Sequence, residues 1–164
     1  MTIIVKNKDT LKFGDFVFKC CIGTNGFTKN KIEGDKKTPV GTFALDSLYY
    51  RKDRKVKPHT NLKIINIKKS MRWCDDIHAK KNYNKLISSK LKVKSEKLYR
   101  YDHKYDFFIP IKYNWENPKI GKGSAIFIHT TKNFKPTAGC IALSEKDFLI
   151  LAKLINRNTK IKLY

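Results

Sequence analysis

Residues 124–130, Ser-Ala-Ile-Phe-Ile-His-Thr, constrain the fold more than any other stretch of this chain. Side chains alternate across a strand, so Ala125, Phe127 and His129 share one face and Ile126 and Ile128 the other. A strand that is apolar on both faces belongs in the middle of a sheet covered on both sides. The rest of the chain must therefore supply two layers of apolar material.

Other segments read as strands as well. TIIVK (2–6) and DFVFKCCIG (15–23) are β-branched or aromatic, with Gly14 between them as a turn signal. LKIINIK (62–68) alternates Leu62, Ile64 and Asn66 against Lys63, Ile65 and Ile67. YDFFIPIKYN (105–114) puts Phe107, Ile109, Ile111 and Tyr113 on one face, and Pro110 predicts an edge or a bulge there. One helix is expected: Ser144 caps it, Asp147 follows in capping-box position, and Phe148, Leu151, Ala152 and Ile155 form an apolar stripe. Asn156 or Asn158 ends it, and TKIKLY (159–164) reads as a closing strand. The segment 79–100, rich in Lys and Ser, reads as part helix and part loop. With no repeat or linker, residues 1–164 are expected to form one mainly β domain, a sandwich or closed sheet with a C-terminal helix.

Charge bears on partners. The 36 Lys plus Arg against 14 Asp plus Glu leave a formal net charge of +22, a field that favours polyanions. The basic positions run from Lys6 to Lys162 and are mostly Lys, whereas bidentate readers of phosphates and bases lean on Arg. Specific nucleic-acid recognition is therefore not expected. The opening residues MTIIVKNKDTLKFGD lack a signal-peptide core, and no run of ~18 apolar residues is present. The expectation is a soluble chain without a transmembrane segment, cytoplasmic by default, with periplasm or cell envelope as the alternative.

Cys20, Cys21, Cys74 and Cys140 form no CxxC pair, so neither a disulfide framework nor a zinc ribbon is suggested. Cys140 is different because Thr137, Ala138 and Gly139 precede it and His129 stands one loop upstream. A base or cation near a thiol makes it a nucleophile, and backbone amides can hold the oxyanion that forms on attack. Antiparallel pairing of 124–129 with 140–143 would bring His129 and Cys140 together. Gly139 permits a backbone geometry that other residues resist, and Thr137 braces the loop or contacts substrate. The same spacing also suits a buried packing thiol beside a histidine bonded to loop carbonyls.

Two further blocks weigh on that choice. KIEGDKKTPVGTF (31–43), WCDDIHAKKNYN (73–84) and GSAIFIHTTKNFKPTAGCIALS (123–144) together resemble the L,D-transpeptidase catalytic domain, the YkuD-like family. The resemblance implies a β-sandwich-like catalytic domain that acts on peptidoglycan stem peptides and needs no metal or organic cofactor. It implies Cys140 as nucleophile, His129 as base and the Thr130 carbonyl as the group orienting the imidazole. It places the oxyanion at amides near Ala138, Gly139 and Cys140. An acceptor amine resolving the thioester gives a transpeptidase; water gives a carboxypeptidase. This chain carries Ala138 and Ala142 where the commonest signature has His and Arg.

The cluster Trp73, Cys74, Asp75, Asp76 and His78 is local and lacks a distant ligand pair, so a cleft wall is expected rather than a metal site. Trp73, Asp76, Thr137 and Tyr113 are the expected substrate contacts. Asp75 or Asp76 pairs with the zwitterionic end of a diaminopimelate side chain or with a neighbouring lysine. The altered signature and the basic charge also suit a non-catalytic module that binds a polyanion.

Overall fold

The computed structural model describes residues 1–164 as fifteen strands and one helix. The chain opens with β1 (Thr2–Val5), β2 (Thr10–Phe13), β3 (Phe16–Cys21), β4 (Phe27–Thr28), β5 (Thr38–Pro39), β6 (Gly41–Ala44) and β7 (Leu48–Tyr50). It continues through β8 (Ile64–Asn66), β9 (Met71–Cys74), β10 (Leu86–Ser88), β11 (Ser95–Lys97), β12 (Phe107–Pro110), β13 (Phe127–Thr130) and β14 (Ile141–Leu143). Helix α1 (Glu145–Leu154) and β15 (Lys160–Leu163) close it.

Ten strands form one curled sheet in the order β6-β15-β1-β2-β3-β14-β13-β12-β7-β8. Strand β13, the core of the 124–130 stretch, lies well inside it. On one face Ile126 and Ile128 join a large apolar cluster with Phe148, Leu151 and Ala152 of α1. On the other, Phe127 packs with Tyr49, Trp73, Leu98, Tyr105, Phe108 and Cys140. The small sheet β10-β9-β11 contributes to this second layer. Fully burying a side chain the size of Phe127 contributes roughly 1.5–3 kcal/mol, which is why both covers are held to the sheet. The mainly β, sandwich-like architecture with a single C-terminal helix is the one the sequence implies.

Local expectations meet the structure unevenly. The β12 alternation is as read: Phe107, Ile109 and Ile111 enter the large cluster and Phe108 the smaller one. Pro110 does not mark an edge, but the pairing is irregular beside it: Phe108 faces Tyr49 while Ile111 faces Leu45, so the 45–49 side carries one extra residue, as at a bulge. Pro110 is the last residue of a strand between β13 and β7, and its carbonyl accepts from Asp46 N (2.9 Å) where pairing resumes at the Leu45–Ile111 bridge. The Ser144 hydroxyl accepts from Asp147 N (3.1 Å), but α1 ends at Leu154, with Ile155 extended, before Asn156.

Two corrections matter for the site. The 79–100 segment holds no helix; β10 and β11 flank β9, with Leu86 opposite Trp73 and Glu96 opposite Trp73 from the other side. And β13 pairs with β14 in parallel, Ile128 with Ile141 and His129 with Ala142, not antiparallel. The loop that follows His129 runs back beside the end of β3, where Thr137 N donates to Ile22 O (2.8 Å) and Thr24 N to Thr137 O (2.9 Å). Strand β14 then starts level with β13, which a hairpin does not allow.

Candidate active site

The turn before Cys140 is set from outside. Gly139 has φ +137°, and a Cβ there would lie 2.7 Å from the Lys37 carbonyl oxygen and 3.2 Å from Ile126 Cδ1. Only glycine fits without moving backbone. The buried Thr38 hydroxyl accepts from Gly23 N (2.9 Å) and donates to Gly139 O (2.9 Å). The Thr-Pro-Val-Gly block thus acts as a clamp on the Gly-Cys turn. Within the turn, Thr137 Oγ1 donates to Cys140 O (2.6 Å) and accepts from Gly139 N (3.0 Å). The Gly139 amide is therefore engaged, while those of Ala138 and Cys140 have no partner within the chain.

Parallel register sets Cys140 beside Phe127, one side-chain repeat, ~6.6 Å, short of His129 on the same face. The thiol is buried; it donates to Ala125 O (3.2 Å) and receives Phe127 N–H (3.4 Å). Burial pushes its pKa up to about 11, and Lys104 opposes this. The His129 Nδ1–H donates to Thr130 O (2.9 Å), which fixes the tautomer and leaves Nε2 as a bare acceptor without a partner. Burial, helped by the charge of Lys104, pulls its pKa down to about 3. At neutral pH the pair is thus a neutral thiol and a neutral imidazole. Tyr105 stands edge-on to the imidazole, ring centroids 5.6 Å apart at 82°, and its hydroxyl is anchored on Glu96 (2.7 Å).

Cys140 opens on a cavity of ≈ 550 Å³ whose walls include Lys31, Glu33, Asp75, Asp76 and Glu96. His129 opens on a second of ≈ 490 Å³, lined by Thr130, Thr137 and several lysines. Lys104 and Ala138 line both. The first wall is tightly built: Glu33 accepts from Tyr83 OH (2.5 Å) and Ser124 Oγ (2.7 Å), and the buried Lys31 Nζ donates to Asp35 (2.5 Å). Asp75 Oδ1 is buried with no hydrogen-bond partner, and burial raises the pKa of that carboxyl.

Of the residues singled out in the sequence, Cys140, Ala138 and Asp76 line the first cavity and His129, Thr130 and Thr137 the second. The Asp76 carboxylate accepts from His78 N (2.9 Å) and Lys94 N (3.1 Å). Trp73 and Tyr113 line neither cavity. Trp73 is 2% exposed, with its Nε1 donating to Asn84 Oδ1 (2.9 Å). Tyr113 packs on Phe43, and its hydroxyl donates to Lys122 O (2.6 Å). Lys104 and Glu96 escaped sequence reasoning because they lie in polar stretches, and Glu33 and Tyr105 because nothing in the pattern of their segments, 31–43 and 105–114, marks them as neighbours of Cys140.

The L,D-transpeptidase catalytic domain, YkuD, matches the chain over residues 1–163. A similar fold occurs in the helical cell shape determining protein Pgp2 from Campylobacter jejuni, at 18% identity and TM-score 0.53. A point mutant of that protein matches at 19% identity and TM-score 0.53. Each alignment covers 99% of this chain and 46% of the other, so the chain spans about half the length of the proteins it resembles in structure. Among curated proteins no match is found.

Proposed function

This chain belongs to the L,D-transpeptidase catalytic domain family, and from that premise we propose that it transfers acyl groups of peptidoglycan stem peptides through a thioester on Cys140. The observation that carries the reading is His129. Its Nδ1–H is committed to Thr130 O, and its bare Nε2 lies on the same strand face as the buried thiol.

In this reading the Cys140 thiol swings off Ala125 O as substrate enters, and its proton passes to His129 Nε2 while sulfur bonds to the scissile carbonyl carbon. A neutral resting pair favours this coupled transfer over a preformed ion pair. The oxyanion is received by the amides of Ala138 and Cys140, which no protein group occupies. The imidazolium returns its proton to the departing amine of the terminal D-amino acid, leaving the thioester. An acceptor amine then makes a cross-link, or water makes a carboxypeptidase. Asp75, with one buried oxygen free, receives a substrate ammonium, while Thr137 holds the turn.

A peptidoglycan substrate places the reaction at the cell envelope, and nothing in the family favours the cytoplasmic default. No helix is long and apolar enough to cross a membrane. The decisive experiment incubates the protein with defined tetrapeptide muropeptides, with and without an acceptor amine. Loss of the terminal residue, abolished in Cys140→Ser and His129→Ala, is expected, and product masses separate exchange, cross-linking and trimming. Intact substrate after prolonged incubation with folded protein would overturn the reading and favour a non-catalytic module.

A further inference from the structure

A third cavity, of ≈ 630 Å³, lies away from the nucleophile and is lined by Lys69, Arg72, Lys97, Arg100 and Tyr101. Trp73 faces the core, so Arg72 faces outward from β9. Its registered partner across the β9–β11 pair is Lys97. Like charges directly opposed on a sheet face are destabilising. Neither residue is relieved by a carboxylate, since no ion pair of the chain involves Lys69, Arg72 or Lys97. The acid at this cavity, Asp102, is held by Arg100 through bonds of 2.8 and 2.5 Å. The platform thus keeps three cations unneutralised.

The platform also leads somewhere. Asp102 lines the His129 cavity too, together with Lys104, Lys132 and Lys135. That cavity shares Lys104 and Ala138 with the cavity of Cys140. Two adjoining cavities with mainly basic walls therefore run from the β9–β11 face past His129, and they meet the cavity of the thiol, whose own wall carries the carboxylates Glu33, Asp75, Asp76 and Glu96.

We propose that this basic track binds an anionic polymer strand, the carboxylate-bearing glycopeptide whose stem peptides react at Cys140. The naming of that polymer rests on the acyl-transfer reading; the charge pattern stands without it. Single-stranded nucleic acid is the competing occupant, and it is disfavoured because such grooves stack bases on exposed aromatic rings. Here Tyr101 is free, but the Tyr99 ring is covered by the Arg51 guanidinium at 3.5 Å.

The test is co-sedimentation of the full chain with purified peptidoglycan sacculi over a range of salt, with a single-stranded oligonucleotide as the comparison polyanion. Lys97→Glu places an acid opposite Arg72 and is expected to fold at least as well as the parent; Lys69→Glu is the second variant. The double variant is expected to lose tenfold or more in sacculus affinity at low salt and to show a shallower salt dependence. Its Cys140 should react with a small electrophile at the parent rate. Unchanged sacculus binding, or an oligonucleotide bound more tightly than sacculi and released by the same substitutions, would overturn the proposal. If the parent binds sacculi through Lys69 and Lys97 yet never turns over muropeptides, the acyl-transfer reading fails and the polymer track stands.

Discussion

The Thr38 hydroxyl donates to the Gly139 carbonyl at 2.9 Å, joining positions 101 residues apart. That bond, with the Gly23 N–H received by the same hydroxyl, couples the Thr-Pro turn to the turn that presents Cys140. Thr38→Val removes both bonds while keeping the shape, and strands a buried amide and carbonyl. A loss of about 1–3 kcal/mol is expected, readable as a lower denaturant midpoint with unchanged slope. Equal midpoints for parent and variant would mean the clamp carries no stability.

The Cys140 thiol, pushed up to about 11 by burial, is expected to be sluggish in the free protein. At pH 7 its thiolate fraction is on the order of 10⁻⁴, so alkylation by iodoacetamide should climb about tenfold per pH unit through pH 10. A plateau set by an apparent pKa below 8 would show a preformed thiolate–imidazolium pair instead. The experiment is read by peptide mapping, because Cys20, Cys21 and Cys74 are present as well.

His129 gives an acid-side signature. Its pKa falls from 6.5 to about 3 on folding, so the unfolded chain binds a proton that the folded chain refuses. The stability linked to the neutral imidazole is complete above pH 6.5 and is lost as pH falls from there toward 3. His129→Gln should therefore lose less stability than the parent between pH 7 and pH 4 in urea titrations. Parallel pH profiles for the two proteins would count against a buried neutral histidine.

Asp75 provides a specificity test that the Asp76 carboxylate, bonded to two loop amides, does not. Asp75→Asn should raise KM for stem peptides bearing a side-chain ammonium and leave peptides without one nearly unaffected. An equal effect on both substrates would reduce Asp75 to a wall residue.

The sequence made particular parts of this molecule legible. A strand apolar on both faces has few places to sit, so the two-sided burial around Phe127, Ile126 and Ile128 follows from alternation alone. The Ser144 cap and the stripe from Phe148 to Ile155 give the helix for a similar local reason. The sense of β14 was not legible, because the segment between His129 and Cys140 suits a return in either direction. Strands β10 and β11 span three residues each, too short for a period to show. The cavity wall was hidden for another reason. Glu33, Tyr83 and Ser124 meet through hydrogen bonds that leave no mark on local pattern.

The parallel pairing of β13 and β14 makes the stretch between histidine and cysteine a tether with a minimum reach. A hairpin loop can shrink to two residues, but this strap has to travel back the length of a strand before the next one begins. Insertions in it only add slack. A deletion that drags β14 by a single residue turns Cys140 to the opposite face of the sheet from His129. The number of residues separating the pair is therefore itself part of the catalytic apparatus, and shortening variants should lose reactivity abruptly rather than by degrees.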